Sequence, residues 1–564
     1  MTPPRPPAAM QWSACVALAL ACLPAVARPL LPAQAPDPEG EAWADNVIAP
    51  EDLAPLPPDE TADFDPSGLP RAYRAELMAG RTERGGDRFS EFGLSFGGFR
   101  ETGGLGTFSL DATLLSSDRN ALGDSETGGT ATLWQRGLFV DGGWRADNGL
   151  GVLNTPTPSL LREQFRYFLP SVPFAGASTD WQRGREDLVL QAALGRVGLF
   201  DGARVVGFEL GDGEVATASV QWRPAAGWRA AISGLATDGL LVPDAFGGTT
   251  LQDGRTDAVH AAVGWSDADD AVNLNLQSSD GYLGGAHGAW LDARRARGRY
   301  VHRYGLFNLE PGLAWGVQPI ANDSRGGYYR LAYESPRLAW SAGIDRVASI
   351  SGASFDGWYG TGYARYQSTA SLGYGGNVSV RTADAEDVVS TLWFVDKSSR
   401  WGQSRLQLRQ LFSRGGGNRD DSWELGVDQT LPLRQGRRLT LSATYGRVGY
   451  EDKPATGTAS IGAYGGLDLG SRVSLDGSAR WSRGDDFRGA DLNLNLAWRV
   501  ASHWWLVATL YENQGSRRSP FIIDPLATEQ PFIDLPRDRS MFLSLRYERQ
   551  AGTSAGVLGG SPGT

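Results

Sequence analysis

Leu492-Asn493-Leu494-Asn495-Leu496-Ala497-Trp498-Arg499-Val500 alternates without a break. In an extended chain Leu492, Leu494, Leu496, Trp498 and Val500 fall on one side and Asn493, Asn495, Ala497 and Arg499 on the other, because successive Cβ atoms leave opposite faces of a strand. A soluble sandwich would turn the apolar side to a core. A membrane barrel would turn it to lipid and line a wet lumen with the asparagines. One strand cannot separate these two cases; many such strands without a separate core sequence can.

The same pattern recurs outward in both directions. Val272-Leu274-Leu276 alternates with Asn273-Asn275-Gln277, Leu439-Leu441-Ala443-Tyr445 with Thr440-Ser442-Thr444, and Met541-Leu543-Leu545-Tyr547 with Phe542-Ser544-Arg546-Glu548. Turn formers separate the runs, among them Ser266-Asp267-Ala268-Asp269-Asp270 and Arg414-Gly415-Gly416-Gly417-Asn418. From about Phe89 to Arg549 this predicts about 24 strands (range about 20–26), a spacing that suits the ~10-residue strands of a large transmembrane antiparallel β-barrel over 88–550. Such a barrel needs an even number with its long loops at one end. The two longest turn-rich segments, Thr237–Arg255 and Ser516–Arg537, enclose an odd number, so at least one strand is misplaced.

Tryptophans recur near strand ends: Trp134, Trp144, Trp222, Trp228, Trp265, Trp315, Trp340, Trp358, Trp393, Trp401, Trp423, Trp481, Trp498 and Trp504. Indole favours the membrane–water interface, so these predict an aromatic girdle. A lectin or propeller would bury them, but the polar strand faces have no helices to cover them and no propeller-like period of about 40–50 residues appears.

Composition agrees. The 564 residues carry net charge −11, with 10% aromatics, 74 Gly and 19 Trp. Mean hydropathy of −0.29 excludes a helical membrane protein, and the acidic balance argues against a nucleic-acid partner. Arg5, the apolar run from Trp12 and Ala25-Val26-Ala27 read as a signal peptide over 1–27, which holds both cysteines, Cys15 and Cys22. The Pro- and acid-rich stretch that follows reads as a disordered periplasmic leader over 28–87, with a short helix expected at Ala72–Arg84. The Gly/Ser-rich end, 551–564, reads as a flexible tail.

Thr155–Gln182 breaks the alternation. Arg162, Phe165, Arg166 and Phe168 there are the candidates for a plug or constriction, with an extracellular loop the plainer reading. The Pro520 to Ile533 region is apolar for a loop and also a candidate to fold inward. Candidate pore-lining residues are Gln403, Arg405, Gln407 and Arg409, with Asn273, Asn275, Asn493, Asn495 and Arg499. A guanidinium at mid-bilayer on the lipid face would cost about 2–4 kcal/mol, which sends these arginines to the lumen. There they either form an anion-attracting ring or pair with acids such as Asp292, Asp345, Asp396 and Asp476. The run Arg294–Arg303 is equally an exposed turn.

Catalysis finds little support. The four histidines, His260, His287, His302 and His503, have no metal-ligand spacing. Gly93-Leu94-Ser95-Phe96-Gly97 matches a nucleophile-elbow pattern but lies inside an alternating strand without a following helix. Neither Lys397 nor Lys453 sits in a phosphate loop. No enzyme, metal or cofactor is expected.

Signal peptide, acidic leader and long alternating body together resemble a Gram-negative outer-membrane β-barrel. The strand number resembles the wide barrel of the fimbrial usher family more than that of the narrower porins. The resemblance implies a pore that exports a protein subunit or polymer with a periplasmic partner, in contact with outer-membrane lipid. It is architectural and carries no usher residue onto this sequence. The alternatives are a passive diffusion porin with an Arg-lined lumen and a filled structural or adhesion barrel.

Overall fold

The computed structural model describes residues 69–551, apart from 85–86, 119–125, 163–164, 185, 202–204, 244–248, 283, 321, 384–385, 416–417, 434–436, 451–453, 485–487 and 515–537. The expected signal peptide, most of the leader, the apolar segment near 520–533 and the tail from 552 lie outside the described residues.

Twenty-six strands join in one antiparallel sheet, each paired with its neighbours along the chain. The last, Asp538–Ala551, returns to the first, Arg71–Arg84, over the full register Arg71↔Ala551 to Arg84↔Asp538. The sheet is therefore closed. At ~4.8 Å between strands and the usual tilt, a round barrel of this order would be roughly 50 Å across, too wide for wall side chains to fill.

Burial along the strands runs opposite to that of a soluble protein. In Asp270–Gly281, Asn275, Gln277 and Ser279 are buried, whereas Leu274 and Leu276 expose 43% and 51% of their surface. Leu194, Leu306, Ile461 and Met541 are more exposed still. Connections folded into the barrel lie against the polar face, which is accordingly the lumen. The apolar faces look outward. This is the polarity of a lipid-facing barrel, and the fold is that of an outer-membrane β-barrel. In Arg488–Ala501, the strand that holds the opening stretch, Trp498 and Val500 stand exposed on the outer face and Asn493 and Asn495 exposed in the lumen.

Most of the tryptophans expected in a girdle are outward and exposed, including Trp228, Trp358, Trp393, Trp401, Trp481 and Trp504. Two are corrections. Trp315 is buried within a connection, and Trp134 packs against the lumen-side apolar cluster. Strand-end position alone does not reveal which face an indole takes.

Connections at one end of the barrel are short, such as 103–105, 141–143, 226–227 and 298–299, and at most the six residues 431–436. The long ones, 118–125, 155–172, 310–323 and 515–537, are all at the other end. The first strand begins, and the last one finishes, at the short-connection end.

Three expectations are corrected here. Ala72–Arg84 is not a helix, so the barrel begins at Arg71, inside the segment assigned to the leader. Its Ala, Leu, Glu and Met favour a helix locally, but only a strand can satisfy the facing edges of Asp87–Thr102 and Asp538–Ala551. Thr237–Arg255 is not a long loop: strands Trp228–Pro243 and Thr249–Ser266 run through it, with an irregularity between Gln252 and Arg255. That removes the parity fault. Of Thr155–Gln182 only 155–172 leaves the wall, because Pro173–Arg183 is a wall strand.

Candidate functional site

The connection 155–172 folds into the lumen. Its neck is tied where the Thr155 amide donates to the Val172 carbonyl and the Val172 amide to Thr155 Oγ1, both at 3.0 Å. A single helical turn, α1 (Ser159–Arg162), follows. Leu160 and Leu161 are fully buried against Ala231 and Ala262 on the wall. The Leu160 amide donates to Gln221 Oε1 at 2.9 Å, so a buried wall glutamine anchors the turn.

The chain then crosses to the wall strands Gly284–Arg297, Tyr300–Leu309, Ser324–Glu334 and Leu338–Ser349 and is latched there. The Arg166 guanidinium donates to the Asp345 carboxylate, which Arg330 also holds at 3.2 Å. Arg166 also lies over the Phe307 ring, at 4.9 Å. Phe165 sits between the Arg303 and Arg330 guanidiniums, each 5.1 Å from its ring, and against Tyr328. Tyr167 meets Phe307 and Trp290 edge-on at 5.3 and 5.9 Å. Burial works against the Arg166 cation, but the adjacent Tyr167 and Asp345 outweigh it and push its pKa above the ordinary arginine value. Burial pushes the Tyr167 hydroxyl up. The latch therefore sets a buried aspartate between two arginines.

A second connection, 310–323, lies beside the first. Gln277 Nε2 donates to the Ala314 carbonyl at 2.9 Å and the Ala314 amide to Ser279 Oγ at 3.1 Å. Trp315 and Val317 complete a buried cluster with Val172, Phe174, Val197, Val215 and Leu235. Gly316 has φ +68°, and a Cβ there would meet Val172 at 2.4 Å, so the two connections touch at a residue with no side chain. His260 is enclosed between Trp290, stacked at 5.1 Å, and Trp315. Asp323 closes the connection by accepting from Ser351 N and Oγ at 2.7 Å, Ser354 Oγ at 2.6 Å, Ser349 Oγ at 2.9 Å and Ile350 N at 3.1 Å. Burial raises this carboxyl, but the serine hydrogen bonds outweigh it and hold it well below the usual carboxylate range. Residues 205–206 form a third contact: Val205 packs on Met78, Leu115 and Phe542 beside the closing seam, and its amide donates to Glu91 Oε1.

Along the rest of the wall, from Gly357 to Ala551, exposed inner-face residues such as Arg405, Tyr464, Asn493 and Asn495 stand beside buried ones such as Val388, Leu411 and Ser422. Gln403, Arg405, Gln407 and Arg409 share its inner face, since Leu406 and Leu408 pair with the outward Val395 and Trp393. The arginines are paired. Arg405 grips Asp396 through two bonds at 2.6 and 3.0 Å, Arg365 reaches the same carboxylate at 3.9 Å, and Arg409 lies 3.6 Å from Glu424. Arg438 meets Asp476 at 2.7 Å. Asn493 and Asn495 line the lumen, and Arg499 shares their face near the short-connection end.

Other candidates are placed differently. Asn273 and Asn275 face the lumen side, yet Asn275 is fully buried and lines no open passage. Within the crossing segment Phe165 and Arg166 are packed on the wall, whereas Arg162 and Phe168 are exposed. Arg294–Arg303 spans a tight turn at Gly298–Arg299, with Arg297 paired to Asp270 at 2.9 Å and only Arg303 reaching the latch. Ser95 is a lumen-face residue opposite Thr113 and Glu76. Tyr167, Trp290, Trp315 and Asp323 were missed. The aromatic density of Phe165-Arg166-Tyr167-Phe168 in a non-alternating stretch was the signal for Tyr167; the others sit in ordinary contexts.

No protein-family profile matches the chain, and no curated protein resembles it in sequence. Among solved structures it is similar to the P pilus usher (PapC) translocation pore, at 13% identity and TM-score 0.33 over 86% of this chain and 100% of that one. It is similar to an E. coli P pilus tip assembly intermediate, PapC-PapD-PapK-PapG, at 13% identity and TM-score 0.44. There the match covers 89% of this chain and 64% of the other, just under two thirds of its length. It is also similar to the siderophore receptor PirA from Pseudomonas aeruginosa, at 7% identity and TM-score 0.39 over 85% of this chain and 80% of that one.

Proposed function

We propose that the chain is a gated translocation pore of the bacterial outer membrane. It would export a protein subunit or polymer handed over by a periplasmic partner, with no catalytic step of its own. Its short-connection end and Pro/acid-rich leader would face the periplasm, after removal of the signal peptide. The observation that carries this reading is the latch. Arg166 and its aromatic neighbours hold a folded-in connection on the inner wall through a few contacts on Asp345, Phe307 and Trp290, while inner-face residues such as Arg405, Tyr464 and Asn495 stay exposed. A barrel meant only to be filled would cover its whole wall. A passive anion porin would leave its arginines unpaired, whereas Arg405, Arg409 and Arg438 all face carboxylates.

Planar-bilayer recording of the full mature chain tests this. Wild type is expected to stay mostly closed and Phe165→Ala/Arg166→Ala to conduct steadily. A wild type that opens unaided and continuously is a porin, and a double variant that remains silent is a filled barrel; either result overturns the proposal.

A further inference from the structure

Three exposed tyrosines project from the inner face of the Gly357–Ala551 wall, and each stands between small polar residues. Tyr363 lies opposite Ser341 on one neighbouring strand and Asn377 on the other. Tyr464 lies opposite Thr440 and Ser478, and Tyr511 opposite Asn493 and Ser540. All three share a face with lumen groups: Tyr363 with Asp345, Tyr464 with the Arg438–Asp476 pair, Tyr511 with Asn495. Tyr464 is half exposed, and Tyr363 and Tyr511 each expose 38% of their surface.

From this repeated arrangement we infer that the open wall is a track for a neutral, hydroxyl-rich polymer, a glycan chain. The inference rests on the reading of the lumen as a translocation path. A tyrosine ring offers an apolar face on which the C–H face of a pyranose can lie, with a polar edge at its hydroxyl. Side chains of Asn, Ser and Thr on both flanks supply donors and acceptors to hydroxyls at the ring edge. The strand of Tyr464 is six inter-strand spacings from that of Tyr363 and three from that of Tyr511, or about 29 and 14 Å around the wall at ~4.8 Å per spacing. Such stations are far enough apart to engage different sugars of one chain. Much of the nearby charge is paired, with Arg405 between Asp396 and Asp428, Arg365 reaching Asp396, Arg438 on Asp476 and Arg546 on Glu76, while Arg480 donates to Ser460 Oγ. A polyanion would have to compete with those carboxylates. A neutral polyol would not.

The experiment records single-channel current through the full-length Phe165→Ala/Arg166→Ala pore with three probes added in turn: maltodextrin, dextran sulfate and unfolded casein. Maltodextrin is expected to interrupt the current. Tyr464→Ala or Tyr511→Ala should shorten its dwell about fivefold, and Tyr464→Phe should restore most of it. Interruption by dextran sulfate or casein with maltodextrin passing unnoticed overturns the glycan assignment and leaves the pore intact. A pore that never conducts overturns the gating proposal instead. In that case calorimetric titration of maltodextrin into the detergent-solubilised wild-type barrel decides the glycan question separately. Saturable binding weakened by Tyr464→Ala supports the track, and absence of binding removes it.

Discussion

The wall from Trp144 to Ser349 and the wall from Gly357 to Ala551 use one alternating pattern, yet residues on their inner faces meet different conditions. Asn275 and Asn495 make the point. Each stands between leucines in a strand of the form Leu-Asn-Leu, and each faces the lumen. Asn275 is sealed beneath folded-in connections, whereas Asn495 is exposed and bonds Thr509 Oγ1 at 3.3 Å. Alternation specifies which face a residue takes. What lies against that face is specified by the connections, here 155–172 and 310–323. A lumen can thus be half core and half channel without any change in strand grammar.

Placing the same charge at both sites breaks or sharpens this comparison most strongly. Asn275→Asp would put a carboxylate in a closed site beside His260, at a cost of about 3–5 kcal/mol. Asn495→Asp should stay within about 0.5 kcal/mol of wild type, as surface changes usually do. Urea unfolding of the two variants gives the difference, and the reversal potential of the opened pore should shift towards cations only for Asn495→Asp. Equal stabilities would mean that the two walls are not distinct.

Removing an existing acid gives the next largest contrast. Asp345→Asn leaves Arg166 and Arg330 facing a neutral amide in a buried site, with an expected loss of about 3 kcal/mol and a pore that opens more often. Asp476→Asn disturbs only the exposed pair with Arg438, for less than about 1 kcal/mol. Gly316→Val should fall between, at about 1–3 kcal/mol, because its side chain would meet Val172 and its φ is strained for a branched residue. Its effect should be read as loosening of the 310–323 connection, by faster proteolysis there, with the open wall unaffected.

These contrasts also explain how much the sequence disclosed. The number of strands, without a separate core sequence, points to a barrel. The strands and the face each residue takes follow from residues such as Leu274/Asn275 and Leu543/Ser544, since a period of two survives any tertiary context. The first strand did not, because Ala75-Glu76-Leu77-Met78 has helical propensity and only pairing with Asp538–Ala551 decides it. Arg405 and Arg409 could be assigned to the lumen from the cost of the alternative. Their partners were legible only as a set of acids, since Asp396 and Glu424 come opposite them through register. The latch was legible as a break in pattern around Phe165–Phe168. Its receptor was not: Trp290, Phe307 and Asp345 lie on three strands over 120 residues away in sequence, each inconspicuous in its own run.

The finest test concerns Asp323, where the covered wall hands over to the open one. Its carboxylate ties the end of 310–323 to the serines of 350–356, immediately before the Gly357–Thr369 strand. A carboxyl whose folded pKa is depressed contributes stability that is fully present above its unfolded value of about 3.9 and is lost only as pH falls through the folded value. Between neutral pH and about pH 4 the tie should therefore hold at constant strength. Hydrogen exchange at the Ile350 and Ser351 amides, both donors to Asp323, reports it directly. Once the intrinsic exchange rate is allowed for, protection should be level across that range in wild type. Asp323→Asn should reduce it about tenfold at every pH, since a neutral amide accepts less strongly than a carboxylate. A wild-type protection that declines with a midpoint at or above about pH 4 would mean that the carboxyl is not held below its ordinary value, and the boundary between the two walls would then have to be held by something other than this residue.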